Sequence, residues 1–298
     1  MKKENLEKSI MLMGPSCVGK SLIANRLSKK LNLPVLSLDD LFNFINMEQS
    51  GIISPSKPAQ ISYIHACLEE IEQDPKTREN LEKEEYRQTQ IKLVYDFIDL
   101  YNYYNNLVGP LSDFYPLNNE YYSSVRNAHT LNETIYCLND FSYKVLEKAL
   151  TKIDKPIIID PPAPFGWEAS KISFFEQFRM NAFESNIAPF DLDKRIAKFA
   201  KSTRTILLEP GQDFQSRNAA PSKANAHLIK TISGYYDNAD ILISTNDLFY
   251  EPENKWLKQR TWLDARETLT KEKLKNNSEI NNICDEIIDG IEELNFDK

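Results

Sequence analysis

"IMLMGPSCVGKSLIANRLSKKL", residues 10–31, decides how this chain is built. It opens on an apolar run short enough to be a strand buried on both faces. Gly14 to Ser21 then match G-x-x-x-x-G-K-[ST] at every fixed position. Behind them Leu22, Ile23, Leu27 and Leu31 share one face of a helix. A strand, a glycine-bounded turn and an amphipathic helix in that order make a cradle for phosphate. The glycines let the backbone wrap round an anion, and the loop N–H groups converge at a helix N-terminus whose dipole favours negative charge. Gly14, Pro15, Ser16, Cys17, Val18, Gly19, Lys20 and Ser21 are therefore the expected nucleotide-binding residues. Lys20 is expected to reach the β and γ phosphates, and the Ser21 hydroxyl to ligate Mg²⁺.

Four more apolar runs read as strands: "PVLSL" (34–38), "PIIID" (156–160), "TILLE" (205–209) and "DILIS" (240–244). Amphipathic stretches alternate with them, which predicts a parallel sheet of about five strands with helices on both faces. With the phosphate loop, that is an α/β P-loop NTPase fold in a single domain over 1–298. Residues 46–149, between the second and third runs, carry helical patterns at 59–73, 80–107 and 138–153 and read as a helical insertion. The aromatic, proline-punctuated stretch 108–124 inside it reads as irregular. Residues 250–298 read as a C-terminal extension of two helices.

In sheets of this kind ligands bind beyond the carboxyl ends of the strands. The second run ends on Asp39 and Asp40, either of which suits a helix N-cap or the orientation and deprotonation of an acceptor hydroxyl; Asp39 is the favoured base. The third run closes on Asp160, the Walker B pattern, whose carboxylate holds Mg²⁺ directly or through water.

Composition removes several classes. A formal net charge of −8 argues against nucleic acid as the partner. Cys17, Cys67, Cys137 and Cys284 are widely separated and form neither a zinc pattern nor a disulfide framework. No segment approaches a membrane span, so a cytoplasmic protein is expected. His65, His129 and His227 lie in different segments with no nucleophile or metal pattern around them, His227 being the best placed to touch a ligand. The aromatic residues of 95–122 read as the core of the insertion, the alternative being an aromatic wall over the acceptor. Arg179, in "FFEQFRMNAFE" (174–184), reads as a surface ion-pair partner, the alternative being a residue at the mouth of the site, and the acidic run near the C-terminus as a solvated helix face.

Taken together, "IMLMGPSCVGKSLIANRLSKKLNLPVLSLDDLF" resembles the opening of the shikimate kinase branch of small P-loop kinases. The resemblance covers roughly half the chain, residues 9–45 and 155–245. It places Asp39 at the family's acceptor-binding Asp, with Ser37 where an earlier acid is usual, and Arg87 of "EEYRQTQIKLVYDF" at an acceptor-carboxylate Arg. It sets Arg217 of "TILLEPGQDFQSRN" near a phosphate-facing Arg, with Lys223 and Lys230 in the lid. The family's acceptor-gripping Gly-Gly-Gly turn is "DPPAP" here, and Ile232 stands where an Arg is expected. Shikimate is thus not the expected acceptor. The same opening is similar to that of isopentenyltransferases, in which the loop holds a prenyl diphosphate.

The expected activity is ATP- and Mg²⁺-dependent phosphoryl transfer to a hydroxyl of a small-molecule acceptor. Lys20, Asp39 and Arg217 would be catalytic, Asp39, Asp40 and Arg87 would bind the acceptor, and Ser21 and Asp160 would hold the metal. The rivals are a prenyl transferase and a nucleotide-binding module that engages a protein partner through the insertion.

Overall fold

Five short strands pair into one sheet in a computed structural model that describes residues 1–14, 19–53, 84–129, 131–162, 194–209, 239–245 and 277–296. They are β1 (Ile10–Met13), β2 (Val35–Ser37), β3 (Ile158–Asp160), β4 (Arg204–Glu209) and β5 (Ile241–Ser244). Their spatial order is β2-β3-β1-β4-β5, and every adjacent pair runs parallel. The expected helical patterns at 59–73 and 253–275 lie outside the described residues, as do Pro15 to Val18, His65, Arg179, Arg217, Lys223, His227 and Lys230.

Both faces of the sheet carry buried apolar side chains, so the strand centres read as continuous apolar runs rather than alternating ones. On one face Ile10, Leu12, Ile158, Ile206, Leu208 and Ile243 meet two helices, α2 (Lys20–Leu31) through Ile23 and Leu27 and the last helix through Ile280, Ile283 and Ile287. That last helix is α8 (Asn277–Phe296). It buries Ile280, Ile283, Ile287 and Ile291 while Asp285, Glu286, Asp289 and Glu293 stay exposed, as the charge pattern suggests. The opposite face carries Met11, Met13, Leu36, Ile159 and Leu207, covered by the helices between β2 and β3 and by α7 (Lys194–Ala200). A short helix, α1 (Lys3–Glu7), precedes β1. No helix of the described residues is long and apolar enough to cross a membrane.

Between β2 and β3 the described chain is helical: α3 (Leu38–Gln49), α4 (Glu84–Val108), α5 (Tyr115–Asn127) and α6 (Leu131–Lys152). The stretch 108–124 is a correction to the sequence reading. It forms a 3₁₀ turn over Leu111–Phe114 and then α5, with Pro116 in the first turn. A proline there gives up only an N–H that has no partner inside the helix, so it starts this helix instead of breaking it. The aromatic residues do build a core, with Phe44, Phe97, Tyr104 and Phe114 all buried.

β2 is the outer strand on its side, and α4 occupies the position of a further strand. The Ile158 N–H bonds the Pro34 carbonyl at 2.8 Å, so Val35 and Ser37 turn their peptide groups outward. Two consecutive tyrosines of α4 meet them. The Val35 N–H donates to the Tyr103 hydroxyl at 2.7 Å, and that hydroxyl donates to the Val35 carbonyl at 2.7 Å. The Ser37 N–H donates to the Tyr104 hydroxyl at 3.3 Å. An outward strand edge is thereby closed by side chains. Tyr103→Phe leaves both Val35 groups without this partner and is expected to cost about 1–3 kcal/mol of stability, read as a lower denaturant midpoint with an unchanged slope.

Candidate functional site

The carboxyl ends of β1, β2 and β3 lie side by side, and the chain leaves each of them into a chemically distinct turn. After β1, Gly14 has φ 149° and Gly19 has φ 99°. Gly19 is the N-cap of α2 in the left-handed region, which a residue with a Cβ rarely adopts. Lys20, the first residue of α2, is buried and folds its ammonium back to the Gly14 carbonyl at 3.0 Å. The two glycine-bearing ends of the loop are thus tied together by the lysine between loop and helix.

β3 ends on Asp160, 4% exposed and in register with Ser37 of β2. The Ser21 hydroxyl donates to Asp160 Oδ2 at 2.6 Å, joining residues 139 apart in sequence. Burial pushes the Asp160 carboxyl up to about 6; the Lys20 ammonium and the Ser21 hydrogen bond pull it down, while Asp39 and Asp40 push it further up. Lys20, Ser21, Asp39, Asp40 and Asp160 therefore form one electrostatic unit.

After β2 the structure corrects a detail of the sequence reading. The strand ends at Ser37, and Leu38 already begins α3, so Asp39 and Asp40 sit in the first helical turn. Neither is the N-cap. Ser37 is, its side-chain oxygen accepting the Asp40 N–H at 3.4 Å. The signal was present in Ser37-Leu38-Asp39-Asp40, which fits the S-x-x-[DE] capping pattern. Two carboxylates in a first turn also suit the helix dipole. Asp39 keeps access to solvent, yet enough protein surrounds it that burial is the main cause raising its carboxyl; Lys20 lowers it and Asp40 raises it again. Asp40 is buried, and its Oδ2 accepts from the Tyr104 hydroxyl at 3.3 Å.

Of the residues singled out in the sequence, the structure gathers Gly14, Gly19, Lys20, Ser21, Asp39, Asp40 and Asp160 at one end of the sheet. Arg87 lies on α4, with its side chain outside what is described. His129 is exposed, and its backbone N–H donates to the Glu133 carboxylate. Tyr104 belongs to the aromatic stretch that the sequence offered as core or acceptor wall, but its contact with Asp40 was not foreseen, because no local pattern links it to a carboxylate 64 residues earlier.

The donor set has clear chemistry. A hydroxyl and a carboxylate in contact supply hard oxygen ligands, the kind Mg²⁺ takes while keeping water and phosphate oxygens for its other positions. Among the described residues no cluster of three or more His, Cys, Asp or Glu side chains could hold a metal, so Asp160 and Ser21 would need such outside ligands to complete a site.

The raised Asp160 carboxyl has a consequence for stability. Its folded pKa lies above the ordinary 3.8, so between the two the folded state binds more protons than the unfolded one. Ionisation therefore costs stability above about pH 6, and the cost is relieved as pH falls toward 4. Asp160→Asn keeps an acceptor for Ser21 without the charge. In nucleotide-free, chelated buffer near neutral pH this variant is expected to exceed wild type by roughly 2–3 kcal/mol. Denaturant titrations should show that gap shrinking between about pH 6 and pH 4. No family model, curated protein or solved structure matches the chain, so any assignment of function rests on this geometry and on the sequence.

Proposed function

We propose that the chain is a P-loop phosphotransferase that moves the γ-phosphoryl group of ATP, with Mg²⁺, to a hydroxyl of a small molecule other than shikimate. The observation that carries this reading is the contact between Ser21 and Asp160, 139 residues apart in sequence and set beside the Lys20 ammonium. A glycine-bounded loop at a helix start is suited to polyphosphate, and a serine–carboxylate pair beside it is suited to the cation that accompanies one.

In this reading the loop backbone and Lys20 bind the β and γ phosphates, exchanging the Gly14 carbonyl for a phosphate oxygen. Ser21 and Asp160 would hold Mg²⁺, which would supply neutralisation of phosphate charge. A cation there also offsets the mutual repulsion of Asp160, Asp39 and Asp40. Asp39, open to solvent and with its carboxyl raised, orients the acceptor hydroxyl and takes its proton; a raised carboxyl is the stronger base. The sequence assigns Arg217 to charge developing on the transferring group and Arg87 to the acceptor, both to be tested by substitution. The rest is positioning and electrostatics, which dominate phosphoryl transfer.

The test uses γ-labelled ATP, Mg²⁺ and a cell extract separated into metabolites and macromolecules. Wild type should move label to a metabolite. Lys20→Ala and Asp39→Asn should each lower the rate by roughly 100-fold or more. Label on protein or RNA would change the acceptor class. Nucleotide binding with no transfer would overturn the enzyme in favour of a binding module, and stabilisation by dimethylallyl diphosphate in place of ATP would favour the prenyl transferase.

A further inference from the structure

A capping box normally closes on itself. The N-cap side chain accepts the N–H of the third helical residue, and that residue's acidic side chain accepts the N–H of the N-cap. At the start of α3 only the first half is made directly, from the Asp40 N–H to Ser37 Oγ. The return half is relayed through a residue of another helix. The Ser37 N–H donates to the Tyr104 hydroxyl at 3.3 Å, and that hydroxyl donates to Asp40 Oδ2 at 3.3 Å. Both contacts are at the long end of the hydrogen-bond range, longer than the 2.7 Å pair that Tyr103 makes.

Tyr104 has little freedom to leave. Its ring is 1% exposed, 5.6 Å from Phe44 of α3 and 5.3 Å, edge-on, from Tyr103. The relayed turn carries Asp39, open to solvent, at its second position, and Asp40 faces inward at its third. We infer that Tyr104 is a positioning residue of the site, closing the capping box from the helical insertion and so fixing the turn that presents Asp39. Its effect on rate rests on the phosphoryl-transfer reading; its hold on the turn does not. The insertion on this account completes the site: if α4 shifts against β2, Ser37 and Asp40 lose their shared hydroxyl together.

The hydroxyl can be removed while the ring stays. Tyr104→Phe is compared with Tyr103→Phe, which strips a hydroxyl from the same outward edge without touching Asp40. Two readouts are taken on the full chain: amide hydrogen exchange at Val35, Ser37 and Asp40, and steady-state MgATP turnover with water or the identified metabolite as acceptor. Tyr104→Phe should speed exchange at Ser37 and Asp40 by about tenfold and lower kcat by about tenfold, with KM for ATP within about twofold of wild type. Tyr103→Phe should speed exchange at Val35 and leave kcat within about twofold of wild type. Unchanged exchange at Ser37 and Asp40 in Tyr104→Phe overturns the inference whatever the activity. Equal losses of kcat in the two variants overturn it too, by reducing Tyr104 to general stability. A wild type that turns over no ATP and labels no acceptor sinks the phosphoryl-transfer reading instead, and the exchange data then decide alone whether Tyr104 holds the acidic turn.

Discussion

The Asp160 carboxylate is taken out of water at the end of an interior strand, and an ion in such a place persists only where specific groups replace its hydration. β3 lies between β1 and β2, so the end of β3 is flanked by the loop leaving β1 and the turn leaving β2. The Ser21 hydroxyl and the Lys20 ammonium come from the first, and the acids of α3 from the second. A different strand order would separate these groups. The site is therefore a product of topology before it is a product of side chains, which agrees with ligands binding where the chain leaves parallel strands.

The helices between β2 and β3 answer a separate problem. A parallel sheet that stops at β2 presents outward peptide groups two residues apart, and α4 meets them with hydroxyls from neighbouring residues, Tyr103 and Tyr104. The same helix buries Phe97 and Tyr104 against Phe44 of α3. α3 is further pinned at its far end, where Glu48 accepts from the hydroxyls of Tyr101 and Tyr115. Burial and the carboxylate beside it push the Tyr115 hydroxyl up to about 12, so both remain donors across the physiological range. The element that carries Asp39 is thus fixed at both ends by tyrosines of the insertion, beyond what its own helix propensity provides.

The sequence made legible whatever depends on neighbours along the chain. Four strand-length apolar runs besides the first, the glycines of the loop and the amphipathic face of α2 each announce a local element, and their alternation announces the parallel sheet. The last helix, α8, was equally plain, its acidic residues marking the solvated face. What escaped was long-range or context-dependent. Pro116 carries the same letter whether it ends one helix or opens the next, and only the position of Phe114 before it in the 3₁₀ turn decides. Asp39 and Asp40 looked like a strand end because Leu38 extends the apolar run, although Ser37 already supplied the cap. Tyr104 left no local trace, since its partners are set by how α4 lies on β2.

The balance of charge at the site bears on the proposed chemistry. Among the described residues, the electrostatic partners of Asp160 are Lys20 on one side and Asp39 and Asp40 on the other. Three carboxylates near one ammonium would repel the polyphosphate of the proposed reaction. The conflict is resolved if a divalent cation enters with the nucleotide: its charge offsets the acids while Lys20 and the loop N–H groups face phosphate. The acids then cease to be a liability and sort by surroundings. Asp160, buried and bonded to Ser21, is suited to the cation; Asp40, bonded to Tyr104, to the scaffold; and Asp39, the exposed member, to the acceptor. Carboxylates of identical chemistry acquire separate tasks through burial and partner alone.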